Sequence, residues 1–261
     1  MQRLKVVSVK RSYEQAFWNH VNRDPLDYYF FIQDLNQHFD QTEILMAMEE
    51  NCVEGLMLFY AGRIVQLRGN RKAVELLLNH VNLEEVEMQA PLDCIDIVER
   101  KYKPSVKHEL VLMSLKKGEE KPRITHNLVR LTADDAERVA EIMRDADPEW
   151  WGEVTVEGQR ETLQTAFWLG IKQDNKIVSV GGTRFVDLAC NISIIATDEH
   201  YRKMGCATSI VSALVKEILK KTPVALIHVL STNAPALKVY SRVGFKPYKH
   251  YYVMRSESRL R

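Results

Sequence analysis

Residues 194–208 read Ile-Ile-Ala-Thr-Asp-Glu-His-Tyr-Arg-Lys-Met-Gly-Cys-Ala-Thr, and the rest of the chain is best interpreted from them. An apolar strand runs into a polar loop, and the loop opens a long helix. Ala207, Ile210, Val211, Leu214, Val215, Ile218 and Leu219 fall on one face of that helix, the pattern of an amphipathic element. The loop carries the spacing R-x-x-G-x-A at Arg202, Gly205 and Ala207. Backbone N–H groups at a helix start have no partner within the helix, and the aligned peptide dipoles favour negative charge there. Gly205 lets the backbone approach an anion, Ala207 is small enough not to block it, and Arg202 and Lys203 add positive charge. Pyrophosphate is the natural occupant. A glycine before a helix is also a common turn, so this segment alone leaves the function open.

The downstream text narrows the reading. Val224–Leu230 is almost wholly apolar, as expected of a strand buried on both faces. Asn233, Ala236, Tyr240, Gly244 and Phe245 then follow in the pattern N-x-x-A-x-x-x-Y-x-x-x-G-F, with Pro235 where a helix would begin and Gly244 where it would end. With two such motifs in this order, the second half resembles the GNAT superfamily of acyl-CoA-dependent N-acetyltransferases, over about residues 126–255.

That resemblance implies acetyl-CoA as cosubstrate, an amine as acceptor, and direct transfer in a ternary complex. It implies that the strand backbone at Ile195, Ala196 and Thr197 holds the pantetheine arm, as an added strand would. The backbone of Arg202, Lys203, Met204, Gly205, Cys206, Ala207 and Thr208 would wrap the pyrophosphate. Asn233 would contact pantetheine, although it serves equally well as the N-cap of the helix starting near Pro235. Tyr240 would be the general acid at the thioester sulfur, against the plainer role of a core aromatic. Cys206 would contribute only its N–H, with no covalent intermediate. The general base is open: the strand Cys190–Ile195 offers no carboxylate, and Asp187, Glu153 and Glu199 are the candidates. Trp150 and Trp151 suit either an acceptor wall or simple packing.

Upstream, strands are expected at Phe167–Ile171, Ile177–Phe185 and Ile192–Ala196, with a turn at Gln173–Lys176. A helix up to Arg144, capped near Thr132 or Asp134, precedes them. The first half parallels the second. Ala90-Pro91, Lys103-Pro104, Lys107-His108 and Val111–Met113 recur in order as Ala234-Pro235, Lys246-Pro247, Lys249-His250 and Val253-Met254, which points to an internal duplication. Helices are expected at Tyr13–Val21, Asp27–His38 and Lys72–Val81, and strands at Glu43–Glu49, Leu56–Tyr60 and Ile64–Leu67. Between that last strand and its helix stand only Arg68, Gly69 and Asn70, so the phosphate loop is missing, and the position matching Tyr240 falls near Asp96. The fold class is therefore α+β: two tandem GNAT-like units, each a mostly antiparallel mixed sheet flanked by helices. The polar stretch 116–123 places the boundary, giving a degenerate domain at 1–117 and a catalytic one at 118–261.

Composition narrows the alternatives. Lys and Arg number 36 and Asp and Glu 35, so no basic excess points to nucleic acid. No run approaches the roughly 18 apolar residues of a membrane helix. Cys52, Cys94, Cys190 and Cys206 are isolated, without metal-ligand spacing, and read as buried residues of a reducing, cytoplasmic protein. No metal is expected. The competing functional class is a non-catalytic CoA-binding regulator or scaffold.

Overall fold

A computed structural model describes residues 4–10, 12–186 and 188–258. The chain forms two compact units, one of residues 1–111, 230–232 and 249–261, the other of residues 112–229 and 233–248. Both are mixed α+β with mostly antiparallel sheets, the architecture expected.

The first unit begins with β1 (Lys5–Ser8), α1 (Glu14–Val21) and α2 (Tyr29–Gln37). The strands β2 (Thr42–Glu49), β3 (Cys52–Tyr60) and β4 (Ile64–Gly69) form an antiparallel meander. Next come α3 (Arg71–Leu78), β5 (Val86–Pro91), the short α4 (Ile95–Glu99) and β6 (Val106–Lys116), which leaves this unit after Val111. β5 lies parallel to β4 and antiparallel to the chain's final residues, with Tyr251 opposite Pro91 and Ser256 opposite Val86. The core gathers Val65, Leu67, Val74, Leu77, Met88 and Tyr102 with Tyr252 and Met254 from that last strand. On the other face, Arg68 and Asp27 form a buried ion pair at 2.6 Å. Gln89 accepts from Arg68, and Lys249 and Tyr251 both donate to Asp27. This half is thus a complete layered fold only with residues from the opposite end of the chain.

The second unit starts with β7 (Leu128–Arg130), α5 (Ala136–Ala146), α6 (Pro148–Trp151) and α7 (Val156–Thr165). β8 (Phe167–Gln173) and β9 (Lys176–Val186) form a hairpin whose two turn residues, Asp174 and Asn175, have φ of 49° and 61°. β10 (Ala189–Thr197), α8 (Cys206–Lys221), β11 (Val224–Leu230), α9 (Ala234–Val243) and β12 (Lys246–Ser256) complete the chain. β10 pairs antiparallel with β9 and parallel with β11. Gly181 lets α8 lie close to the sheet, since a Cβ there would come within 2.5 Å of Ile210. Leu131, Val139, Ile142, Trp168, Val180 and Ile194 form the core under α5 and α7.

Three expectations need correction. The polar stretch taken as a linker is strapped to the second unit. The N–H of Lys121 donates to Val243 O, and those of Arg123 and Thr125 donate to the hydroxyls of Ser212 and Ser209 on α8. Those serines are fully buried, and nothing in a polar text advertises such partners. Cys52 is exposed where β3 begins, whereas the other three cysteines are buried. Of the two roles open to the tryptophans, Trp151 takes the packing one, against the core of its own unit. The helix expected over Lys72–Val81 begins at Arg71 and ends at Leu78.

Candidate functional site

A cleft of about 490 Å³ opens in the second unit where β10, the start of α8 and one face of α9 meet. Its walls include Ile195, Ala196, Thr197, Arg202, Lys203, Gly205, Cys206, Ala207 and Thr208, together with Asn233 and Tyr240. Eleven of the twelve residues expected at the site therefore converge. Met204 does not line the cleft and is 55% exposed. Ala146, Tyr201, Val239 and Arg242 also line it and were not foreseen. No motif marks Tyr201 or Ala146. Arg242, by contrast, stands three residues beyond Val239 and seven beyond Pro235, the helical spacing of one face of α9.

The polarity of the walls has one sign. Arg202, Lys203 and Arg242 are the charged residues among them, and all three are cations. The loop that carries them is shaped by backbone conformation. Lys203 has φ +65° and Gly205 φ +89°, so the chain makes two left-handed residues just before α8. A Cβ at Gly205 would meet nothing nearer than 3.6 Å; the left-handed φ, rather than lack of room, selects glycine. Successive backbone N–H groups in such a turn, ending at a helix of 16 residues, form a concavity suited to anions. Arg202 donates from Nε to Thr197 O at 3.1 Å, tying the loop to the end of β10. Below it, Arg138 of α5 pairs with Asp198 and donates to Ile177 O at 3.0 Å, while Asp198 Oδ1 accepts from His200 N. Burial pushes the Asp198 carboxyl up, but the hydrogen bonds from Arg138 and His200 N, with the charge of Arg138, outweigh it and hold it below the usual carboxylate value.

Two side chains have settled roles. Asn233 caps α9: its Oδ1 accepts from Ala236 N at 3.1 Å, while the residue still borders the cleft. Cys206 is 1% exposed and burial pushes its thiol up, so a thiolate is disfavoured there. Tyr240 stands on the cleft wall, edge to face with Phe245 at 6.2 Å. Among the described residues no hydrogen bond holds its hydroxyl. Burial pushes the phenol above its ordinary value, keeping it a proton donor at neutral pH. Of the carboxylates considered as base, Glu199 lies exposed beside His200 and Glu153 is exposed after α6, while Asp187 falls outside the described residues.

In the first unit the corresponding corner is built differently. Asn70 caps α3 directly after β4, accepting from Ala73 N, with no intervening loop. Arg71 opens the helix and forms a bidentate pair with Asp96 at 2.8 Å. A carboxylate thus sits at the helix start that an anion would need.

Residues 168–254 match the family model described as FR47-like protein. No curated protein sequence matches the chain. A Drosophila protein of known X-ray structure is similar over 99% of this chain and 100% of its own, with a TM-score of 0.73 and 11% identity. A tandem GNAT protein from the clavulanic acid biosynthesis pathway is similar over 97% and 98%, with a TM-score of 0.59 and 11% identity. An acetyltransferase from the GNAT family of Colwellia psychrerythraea is similar over 97% and 99%, with a TM-score of 0.58 and 8% identity. The fold is therefore that of the GNAT acetyltransferases in tandem, and the FR47-like sequence match falls in the C-terminal half of the chain. No helix among the described residues is long and apolar enough to cross a membrane.

Proposed function

We propose that the chain is an N-acyltransferase that moves an acetyl group from acetyl-CoA to an amine in one ternary complex, using the cleft of the second unit. The observation that carries this is a cleft whose only charged wall residues are cations, laid against a left-handed turn at the start of α8. Such a site suits a pyrophosphate, and the strand edge at Ile195–Thr197 suits the amide-bearing pantetheine arm that follows it.

In this reading the arm extends along β10 and delivers the thioester beside Tyr240. The amine nitrogen attacks the carbonyl carbon, the C–S bond breaks, and the sulfur takes a proton from the Tyr240 hydroxyl. Arg202, Lys203 and Arg242 neutralise the phosphates, and Asn233 borders the arm while capping α9. The degenerate first unit would bind no second cosubstrate.

Gly205→Glu tests the reading. It combines a strained φ with a carboxylate in the anion site, so calorimetry is expected to find CoA binding abolished in a protein with the wild-type circular dichroism spectrum. Unchanged affinity in that folded variant would overturn the site. Release of free thiol from acetyl-CoA across an amine panel separates an enzyme from a CoA-binding scaffold.

A further inference from the structure

The strand text at Cys190–Ile195 supplies no carboxylate, yet an acceptor ammonium must lose a proton before it can attack. β10 and β11 run parallel with Cys190 opposite Ala225, Asn191 opposite Leu226 and Ile192 opposite Ile227, and there the pairing ends. At the same level the register of β10 against β9 shifts between Ile192 and Ile194. The two strands therefore fork just beyond Ile227, and β10 continues to the cleft-lining residues Ile195–Thr197. His228 is the first residue of β11 past the fork. Its Nδ1 lies 3.2 Å from the side-chain oxygen of Asn191, which is 4% exposed.

We infer that His228 is the general base of the transfer, and that Asn191 is the positioning residue that sets its tautomer. The inference rests on the acyltransferase reading above. In a parallel pair, opposed residues share a face, and strand residues two apart do so as well. Asn191, Leu226 and His228 therefore project to one side of the sheet. An amide oxygen only accepts hydrogen bonds, so its contact places the imidazole proton on Nδ1 and makes Nε2 the nitrogen that takes a proton. His228 stands outside the cleft walls, past the fork, and a thioester delivered along β10 from Ile195 toward the fork would carry its carbonyl in that direction. Nε2 removes one proton from the acceptor ammonium, directly or through one water. The N–C bond then forms and the C–S bond breaks. Tyr240 protonates the sulfur and is restored by the second proton leaving the nitrogen, so one proton is released overall. Asn191 is an uncharged partner, whereas a carboxylate in its place would favour the imidazolium.

His228→Gln keeps a hydrogen-bonding side chain and removes the basicity. It is expected to lower kcat/KM by about 10²–10⁴ for the fastest alkylamine of the panel, with CoA affinity by calorimetry unchanged. With hydroxylamine, whose nitrogen is largely unprotonated at neutral pH, the loss should shrink to about tenfold or less, because removal of the ammonium proton is no longer required. Equal losses for both nucleophiles, or wild-type turnover in the folded variant, would overturn the base. Nitrogen-15 spectra of the labelled imidazoles, with His228 identified by its absence from the His228→Gln spectrum, give a readout independent of turnover. In the CoA complex His228 should carry its proton on Nδ1, and Asn191→Leu should shift it to Nε2. A wild-type Nε2–H form would overturn the assignment. Failure of the wild-type protein to turn over any amine would count against the acyltransferase reading and the base together, whereas the outcomes above count against the base alone.

Discussion

Tyr240 and Asp27 show how one side chain's surroundings decide what it can do. The phenol of Tyr240 is buried, its acidity is suppressed, and it faces a cleft where a thiolate would form. Tyr240→Phe keeps the ring and removes the donor. It is expected to lower kcat by about 10²–10⁴ while CoA affinity stays within error. Wild-type kcat, with chemistry shown to be rate-limiting, would make Tyr240 a core aromatic only. Asp27 is a different case. Burial pushes its carboxyl up, but Arg68 and the hydrogen bonds from Lys249 and Tyr251 hold it below the usual value. A group depressed in the folded state stabilises above its unfolded value of about 3.9 and loses that contribution as pH falls through the folded value. The melting temperature should therefore hold from neutral pH to about 5 and fall below about 4. Asp27→Asn leaves Arg68 buried without its counter-charge, a loss of about 3–5 kcal/mol at neutral pH, and should flatten that acid fall. A thermal melt series across pH checks both.

α8 shows how far sequence reaches into an element. Its apolar periodicity, the glycine before it and the cap and stop of α9 are local signals, and the elements appear where those signals put them. The loop that turns at Lys203 is legible as R-x-x-G-x-A, but its mooring is not. Arg138 reaches Asp198 from another helix sixty residues away, and no spacing rule announces the pair. Arg138→Ala should leave α8 in place yet loosen the turn, so CoA affinity should fall about tenfold while thermal stability falls by about 3 kcal/mol. Unchanged affinity would make the pair purely structural. α7 is only weakly legible in sequence: only Gln159 and Leu163 of its ten residues are buried, too few to show a helical stripe. The strap of residues 121–125 along α8 was misread because buried serine hydroxyls look the same in sequence as solvated ones. His228 was passed over because a lone histidine in an apolar strand has no pattern; its meaning comes from where the pairing of β10 and β11 ends.

The two units share a plan and differ in equipment, and the stoichiometry follows. The first has Arg71 and Asp96 where the second has an uncompensated cationic turn, so titration should find one CoA per chain. Two sites would show that the first unit keeps a cradle after all. The first unit also borrows Tyr251–Ser256 for its sheet and Tyr252 and Met254 for its core. A fragment ending at Lys117 should lack a cooperative melt, and a native-like transition in that fragment would show the borrowed strand to be dispensable. The same borrowing bears on how the protein is made. Synthesis runs from the N-terminal side, so β1–β5 are made well before Tyr251–Ser256, the strand residues that pair with β5. The unit translated first is thus completed late, and until those residues are made its β5 edge stays open to any passing strand.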